Sequence, residues 1–310
     1  MNPKTNALAY LEATFSAVVW GGTFIATKIA LQEVSPATVV WIRFTIGVVI
    51  LGIAVLLRKQ FAIPERNDLL YLALLGFIGV TFHQWLQATG LQTARATTTA
   101  WIVASTPVFI AILGWLVLKE NLGWARFGGI VLAALGVLLI VSKGNLAALF
   151  AGQEGTFGDL LVLISAPNWA VFSVLSRREL GRHPAARMMF YVMFFGWLFT
   201  NIWIFGFGPG LTQLSQLDLK GWAAILVLGI LGSGLAYIAY YDSLQVLPAS
   251  QQGAFLNIEP LVTTVLAAAM IGERITMITV LGGTVILFGV WLVNKRQTAK
   301  EVFVEAPQAD

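Results

Sequence analysis

Glu259 is the acid whose setting most demands an explanation. It stands within a long apolar stretch and is followed directly by Pro260. An ionised carboxylate in apolar surroundings is costly unless it is paired, protonated or used. The proline removes one helix hydrogen bond beside it and frees a backbone carbonyl. Such a pair suits the binding of a substrate amine or the exchange of a proton. The competing reading is a structural glutamate bonded to the freed backbone groups.

Lys28 and Arg43 lie at similar distances on either side of Ser35-Pro36. On an antiparallel helix pair both would reach one depth, either to bind an anion such as a substrate carboxylate or to extend their heads to the interface. Trp20 and Trp169 are 149 residues apart, each near the middle of an apolar run, and Asn168 follows Pro167 beside the second tryptophan. His83, Gln84 and Gln87 have the three- and four-residue spacing of one helix face, and Tyr237, Tyr240 and Tyr241 offer a similar set farther on. Trp101 and Asn257 complete the group. The candidate substrate-binding residues are therefore Trp20, Lys28, His83, Gln87, Trp101, Asn168, Trp169, Tyr237, Asn257 and Glu259. They supply stacking and hydrogen bonds with little charge. For each one singly, packing or interhelical hydrogen bonding is the competing reading.

No catalytic residue, metal site or cofactor is expected. The chain has no cysteine, no H-E-x-x-H, no G-x-S-x-G and no G-x-x-x-x-G-K-[ST] loop. His83 cannot pair with the only other histidine, His183, which falls in a loop. These absences argue against an intramembrane enzyme and against nucleotide-driven pumping. Glu120 and Glu273 each end an apolar run before a short turn, where a carboxylate accepts from the free N–H groups of the next helix. Gly129 and Gly136, with Gly282 and Gly289, are spaced seven apart and read as packing faces, with a subunit contact as one use.

The elements that carry these residues follow from composition. Of 310 residues 58% are hydrophobic and 11% charged, with a mean hydropathy of +0.81, so the chain belongs in a bilayer. A span needs roughly 20 apolar residues. Ten stretches qualify, at 10–33, 37–57, 69–90, 96–118, 125–142, 157–179, 186–206, 221–243, 250–271 and 276–294. The net charge of +4 sits between the apolar runs, where it sets topology rather than attracting nucleic acid. With the N-terminus inside, thirteen lysines and arginines fall on the inner side and four on the outer. Both termini are therefore expected in the cytoplasm.

The chain repeats itself. Pro107, Gly129 and Gly136 recur as Pro260, Gly282 and Gly289 at an offset of 153 residues, and Gly76, Gly79 and Leu91-Gln92 keep the same register. A register kept over that length marks an internal duplication. The expected divisions are a five-helix repeat at 1–143, a connecting loop at 144–156, a second repeat at 157–296 and a disordered tail at 297–310. Five spans per half force the second copy to enter from the opposite face. The fold class expected is an all-α integral membrane protein of ten transmembrane helices in two inverted repeats, an architecture suited to alternating access.

Trp20-Gly21-Gly22-Thr23-Phe24 with Lys28, Arg43-Phe44, and the twice-used proline, glutamate and glycine pattern resemble the EamA branch of the drug/metabolite transporter superfamily. The resemblance covers residues 10–294. It implies a ten-helix exporter of small metabolites, amino acids or drugs, with a cavity lined by the first, third, fourth, sixth, eighth and ninth helices. The expected location is the plasma membrane, in a bacterium the inner membrane. The expected partners are a small-molecule substrate and lipid, with proton exchange through Glu259 and with monomer and homodimer both open. The reading carried forward is a secondary-active or facilitative exporter. The alternative is a membrane receptor or scaffold that binds a small molecule without moving it.

Overall fold

The computed structural model describes residues 3–118, 123–247 and 249–294. Among these residues ten helices are long and apolar enough to cross a bilayer, numbered here as spans 1 to 10. They are Ala7–Ala30, Pro36–Leu57, Arg66–Gly90, Ala96–Val117 and Trp124–Val141, then Phe157–Leu180, Ala185–Gly206, Leu219–Val246, Gln251–Ile271 and Met277–Asn294. The first helix stops at Ala30 rather than residue 33, because residues 31–34 turn before Ser35 caps the next helix. Ser35 accepts from the N–H of Thr38, and Pro36 takes the first helical position, where its missing N–H costs nothing. Thr156 and Asp159 form a capping box at span 6. Asp218 accepts from Lys220 and Gly221 at the start of span 8, and the Gly221 N–H above all holds its carboxyl below the usual carboxylate range.

The two halves interlock instead of sitting side by side. Span 1 packs on spans 8 and 9 of the other half, and span 6 packs reciprocally on spans 3 and 4. Spans 5 and 10 show the relation residue by residue. A Cβ on Gly129 would lie 2.6 Å from the Gly289 carbonyl oxygen, and one on Gly136 would lie 2.7 Å from that of Gly282. Each glycine thus meets the counterpart of the other glycine on its own helix, the signature of a pseudo-two-fold axis between antiparallel copies. The glycine stripes are consumed within the chain, so the subunit contact considered for them is not their use. Close backbone approach needs small residues where lipid supplies no hydrophobic drive.

Glu273 also acts between halves. Its carboxylate accepts from the N–H groups of Ala96 and Thr97 and from the Thr97 hydroxyl, at 2.6 to 3.1 Å, with Arg95 3.7 Å away. It caps the start of span 4 and not that of the helix following it, because the inverted copies bring those two ends together. Glu120 and the tail expected to be disordered lie outside the described residues.

Four spans depart from regular α-helix, in matched pairs. Span 3 contains a π-helical segment at Phe77–Phe82 and span 8 one at Val227–Leu235. Span 4 is broken between Ala96–Val103 and Thr106–Leu118, and span 9 between Ala249–Leu256 and Ile258–Ile271. Ala104 and Asn257, at the two breaks, differ by the repeat offset. Pro107 and Pro260 explain the breaks: each sits in the first turn of its second segment, where proline is tolerated, and cannot donate to the segment before it.

Candidate functional site

The matched irregularities surround a cavity of about 210 Å³ between the halves. Span 1 supplies Trp20, Thr23, Phe24 and Thr27; span 3 His83, Gln84 and Gln87; span 6 Trp169, Ser173 and Arg177. Spans 8 and 9 bring Tyr237, Tyr240, Tyr241, Asn257 and Glu259. Arg43 of span 2, Pro107 of span 4 and Asn294 of span 10 also line it, so spans 2 and 10 join the six expected.

The walls are aromatic rings packed edge-on or tilted against one another. Trp20 lies 5.2 Å from Tyr237 and 4.9 Å from Tyr240, while His83 lies 4.7 Å from Trp169, itself 4.8 Å from Phe172. Trp20 and Trp169 thus hold corresponding places on opposite walls. The Trp20 Nε1–H donates to the Gly232 carbonyl at 3.0 Å, inside the π-helical segment of span 8. A π-turn shifts the backbone ladder, and the indole satisfies an oxygen there.

Glu259 lies in the first turn of the second segment of span 9 and is 8% exposed. Among the described residues nothing hydrogen-bonds or ion-pairs with its carboxylate. Its backbone oxygen accepts from Thr263, whose hydroxyl also reaches the Gly21 carbonyl at 2.8 Å. A Cβ on Gly21 would come within 2.7 Å of the Glu259 oxygen. The glycine after Trp20 therefore lets span 1 lie against the turn that carries the acid.

The cavity is shut at the end away from the termini. Phe24, Ile25, Leu91, Ala96, Ala100 and Ala267 pack there in one apolar cluster. Above it Glu273 ties spans 9 and 4, and the Gln213 side-chain oxygen accepts from Ser35 N and the Thr38 hydroxyl, both at 2.8 Å. Toward the other end the lining continues to Arg177, Leu180, Leu244, Val293 and Asn294.

Seven of the ten residues singled out from sequence meet at this cavity: Trp20, His83, Gln87, Trp169, Tyr237, Asn257 and Glu259. Three do not. Lys28 sits in the last turn of span 1, within electrostatic reach of Glu273 and Asp159, while Arg43 lies two turns inside span 2. Trp101 is buried against Gly283 of span 10, outside the central cavity. Asn168 points away from it, its Nδ2 donating to the Ile78 carbonyl at 2.9 Å in the π-helical segment of span 3. Arg177, which the sequence assigns to topology, lines the mouth; its place 149 residues after Lys28 was the available signal. Asp242, beside the tyrosines of span 8, is tied to span 2, since Arg58 donates to both its oxygens at 2.6 and 2.8 Å.

Asp68, Glu179 and His183 bring three metal-capable groups within 4.8 Å of one another at the terminal end. His183 Nε2 lies 3.2 Å from Asp68 and 3.3 Å from Glu179. Arg182 takes Asp68 at 2.7 Å and Arg178 lies 3.6 Å from Glu179. Two guanidinium groups already balance the two carboxylates, and the cluster is an ion-pair network joining spans 3 and 6.

Residues 7–142 and 156–295 each match the EamA-like transporter family. A protein of Archaeoglobus fulgidus named an uncharacterized transporter is 29% identical over 297 residues, covering 96% of this chain and 99% of its own. A protein of Streptantibioticus cattleyicolor named a probable terminal-alkyne amino-acid exporter is 25% identical over 94% of each chain. A solved crystal structure at 19% identity superposes with a TM-score of 0.66, covering 92% of this chain and 97% of that one, which shows a common fold.

Proposed function

The chain belongs to the EamA-like transporter family and is a multi-pass membrane transporter, and from that premise we propose a secondary carrier that exports small organic metabolites by alternating access. The observation that carries this reading is the cavity between two-fold-related halves, sealed at one end and extended toward the other. Two related halves can exchange conformations around such a site, so that each face opens in turn. The excess of lysine and arginine at the terminal end orients that end, with the extended cavity, to the cytoplasm of a bacterial inner membrane. A site reached from the cytoplasm is loaded from the cytoplasm, which suits export.

The lining fits amino acids and other amphipathic molecules. Indole and phenol rings take an apolar body, and the amide of Asn257 and the carboxylate of Glu259 take polar ends. Glu259 has no protein partner among the described residues, so it is free to hold a substrate amine or a proton and to exchange one for the other.

Reconstitution in liposomes loaded with a labelled pool of amino acids and related metabolites tests the reading. Selective loss, faster than from protein-free liposomes, is the expected result; equal loss of every compound under any imposed pH gradient would overturn it. Proton exchange through Glu259 predicts that a pH gradient accelerates wild-type flux and leaves Glu259→Gln unaffected. Flux independent of pH in both proteins would sink the coupling alone.

A further inference from the structure

Arg43 is a buried cation that no anion pairs with among the described residues. It is 5% exposed, sits within the apolar span 2 and lines the cavity. Its Nε donates to the Ser233 hydroxyl at 3.0 Å and its Nη1 to the Gln84 side-chain oxygen at 3.1 Å. Both acceptors are neutral. The Nη2 lies close to Gly232 of span 8, from which an ideal Cβ would stand 3.5 Å away, in ordinary van der Waals contact. Among the described residues no carboxylate hydrogen-bonds or ion-pairs with the guanidinium.

An arginine at this depth is expensive, and it normally pairs with an acid or faces a water-filled pathway. Of its five N–H donors two are used, leaving part of a rigid fork that matches a carboxylate. The groups that aim it come from the irregular segments: Ser233 is in the π-helical stretch of span 8, and Gln84 follows that of span 3. Both distortions thus converge on one guanidinium. Arg43, Tyr237 and Glu259 line the same cavity.

Resting on the transport reading and narrowing it, we infer that Arg43 is the anchor for a carboxylate of the cargo, and that the cargo is dipolar, its amine facing Glu259. One guanidinium at this depth balances a monoanion. A phosphate dianion would call for a second cation beside it, and the other lining cation, Arg177, stands at the mouth. The competing role for Arg43 is a brace that ties spans 2, 3 and 8 together through Gln84 and Ser233.

The two roles differ in what they discriminate. Melting of the purified protein in detergent is followed with L-alanine, L-threonine, L-leucine, L-methionine, L-phenylalanine and L-tryptophan. Each is set beside its carboxamide and its decarboxylated amine. At least one free acid is expected to raise the melting temperature with an affinity tenfold or more above its amide and amine. Arg43→Gln is expected to abolish that preference, and Arg43→Lys, which keeps a point charge, to retain part of it. Gln84→Ala, which leaves the arginine in place but unaims it, should weaken the acids and leave the amines unchanged.

Acid and amide binding equally to wild type would overturn the assignment. So would amines alone binding, no free acid binding, or a folded Arg43→Gln that keeps the preference. The wild-type comparison stands even if the arginine variants fail to fold. Failure of the transport reading shows separately, as an acid that binds in detergent yet never crosses the liposome membrane.

Discussion

The indole of Trp20 and the backbone carbonyl of Gly232 form a hydrogen bond of 3.0 Å that joins the first helix of one half to the irregular stretch of the other. Asn168 repeats the act from the opposite half by donating to Ile78. Trp20→Phe keeps the ring contacts with Tyr237 and Tyr240 and removes the donor, for an expected loss of about 1 kcal/mol. Trp20→Ala removes the ring as well and is expected to cost about 3 to 5 kcal/mol. Thermal melting in detergent orders the two, and a Trp20→Phe that melts as the wild type does would show that the bond carries no weight.

Gly21→Ala drives a methyl against the Glu259 carbonyl oxygen and Val262, at 2.7 and 2.9 Å. The obstacle is backbone, so the helices must part, for about 1 to 3 kcal/mol. Since the displaced turn carries Glu259, flux should fall by tenfold or more while Gly22→Ala, whose nearest neighbour is the Leu266 side chain at 3.6 Å, stays close to wild type. Liposome flux of both variants checks the contrast.

A chain without cysteine accepts single reporters cleanly. Arg177→Cys at the mouth should react with a membrane-impermeant maleimide added from the side of the termini. Thr27→Cys, buried at the level of the apolar seal, should stay unlabelled from the opposite side. Adding Glu273→Ala uncaps span 4, costs about 1 kcal/mol at that end, and should raise labelling of Thr27→Cys from the opposite side several-fold. Unchanged labelling would mean that Glu273 takes no part in the seal.

Glu179 is fully buried and is held by His183, Arg178 and Arg182 at 3.3 to 3.9 Å. Glu179→Ala leaves Arg178, Arg182 and His183 to face Asp68 alone and is expected to cost about 1 to 3 kcal/mol, since both arginines keep much of their contact with solvent. Melting should drop sharply, and added zinc should leave wild-type melting unchanged. A zinc-dependent rise would instead mark the cluster as a metal site.

The depth of each residue was legible from sequence, and its direction around the helix was not. Hydropathy set the ten spans to within a few residues, and the 153-residue register paired the breaks at Ala104 and Asn257. Glu259 and the two tryptophans could be found because a costly group in mid-span needs a use. Lys28, Trp101 and Asn168 lie at plausible depths but face elsewhere. Azimuth depends on how helices pack, and a π-helical turn adds a residue that rotates everything beyond it. Nothing in Phe77–Phe82 or Val227–Leu235 announces that turn, and Asn168 was spent on satisfying it.

The duplicated plan has unequal copies around the cavity: Thr106 against Glu259 and Gln84 against Tyr237 line it, and Arg177 lines its mouth where its counterpart Lys28 lies off it. A chain of two identical copies would have two shapes of equal free energy, one the other turned over, and would rest facing each side half of the time. Every mismatch between the copies tilts that balance, and a net 1.4 kcal/mol suffices for tenfold. Under the proposed alternating access, the resting orientation of the empty protein is thus a sum over the divergence of its halves, and exchanging a residue with its counterpart is a graded means of reversing it.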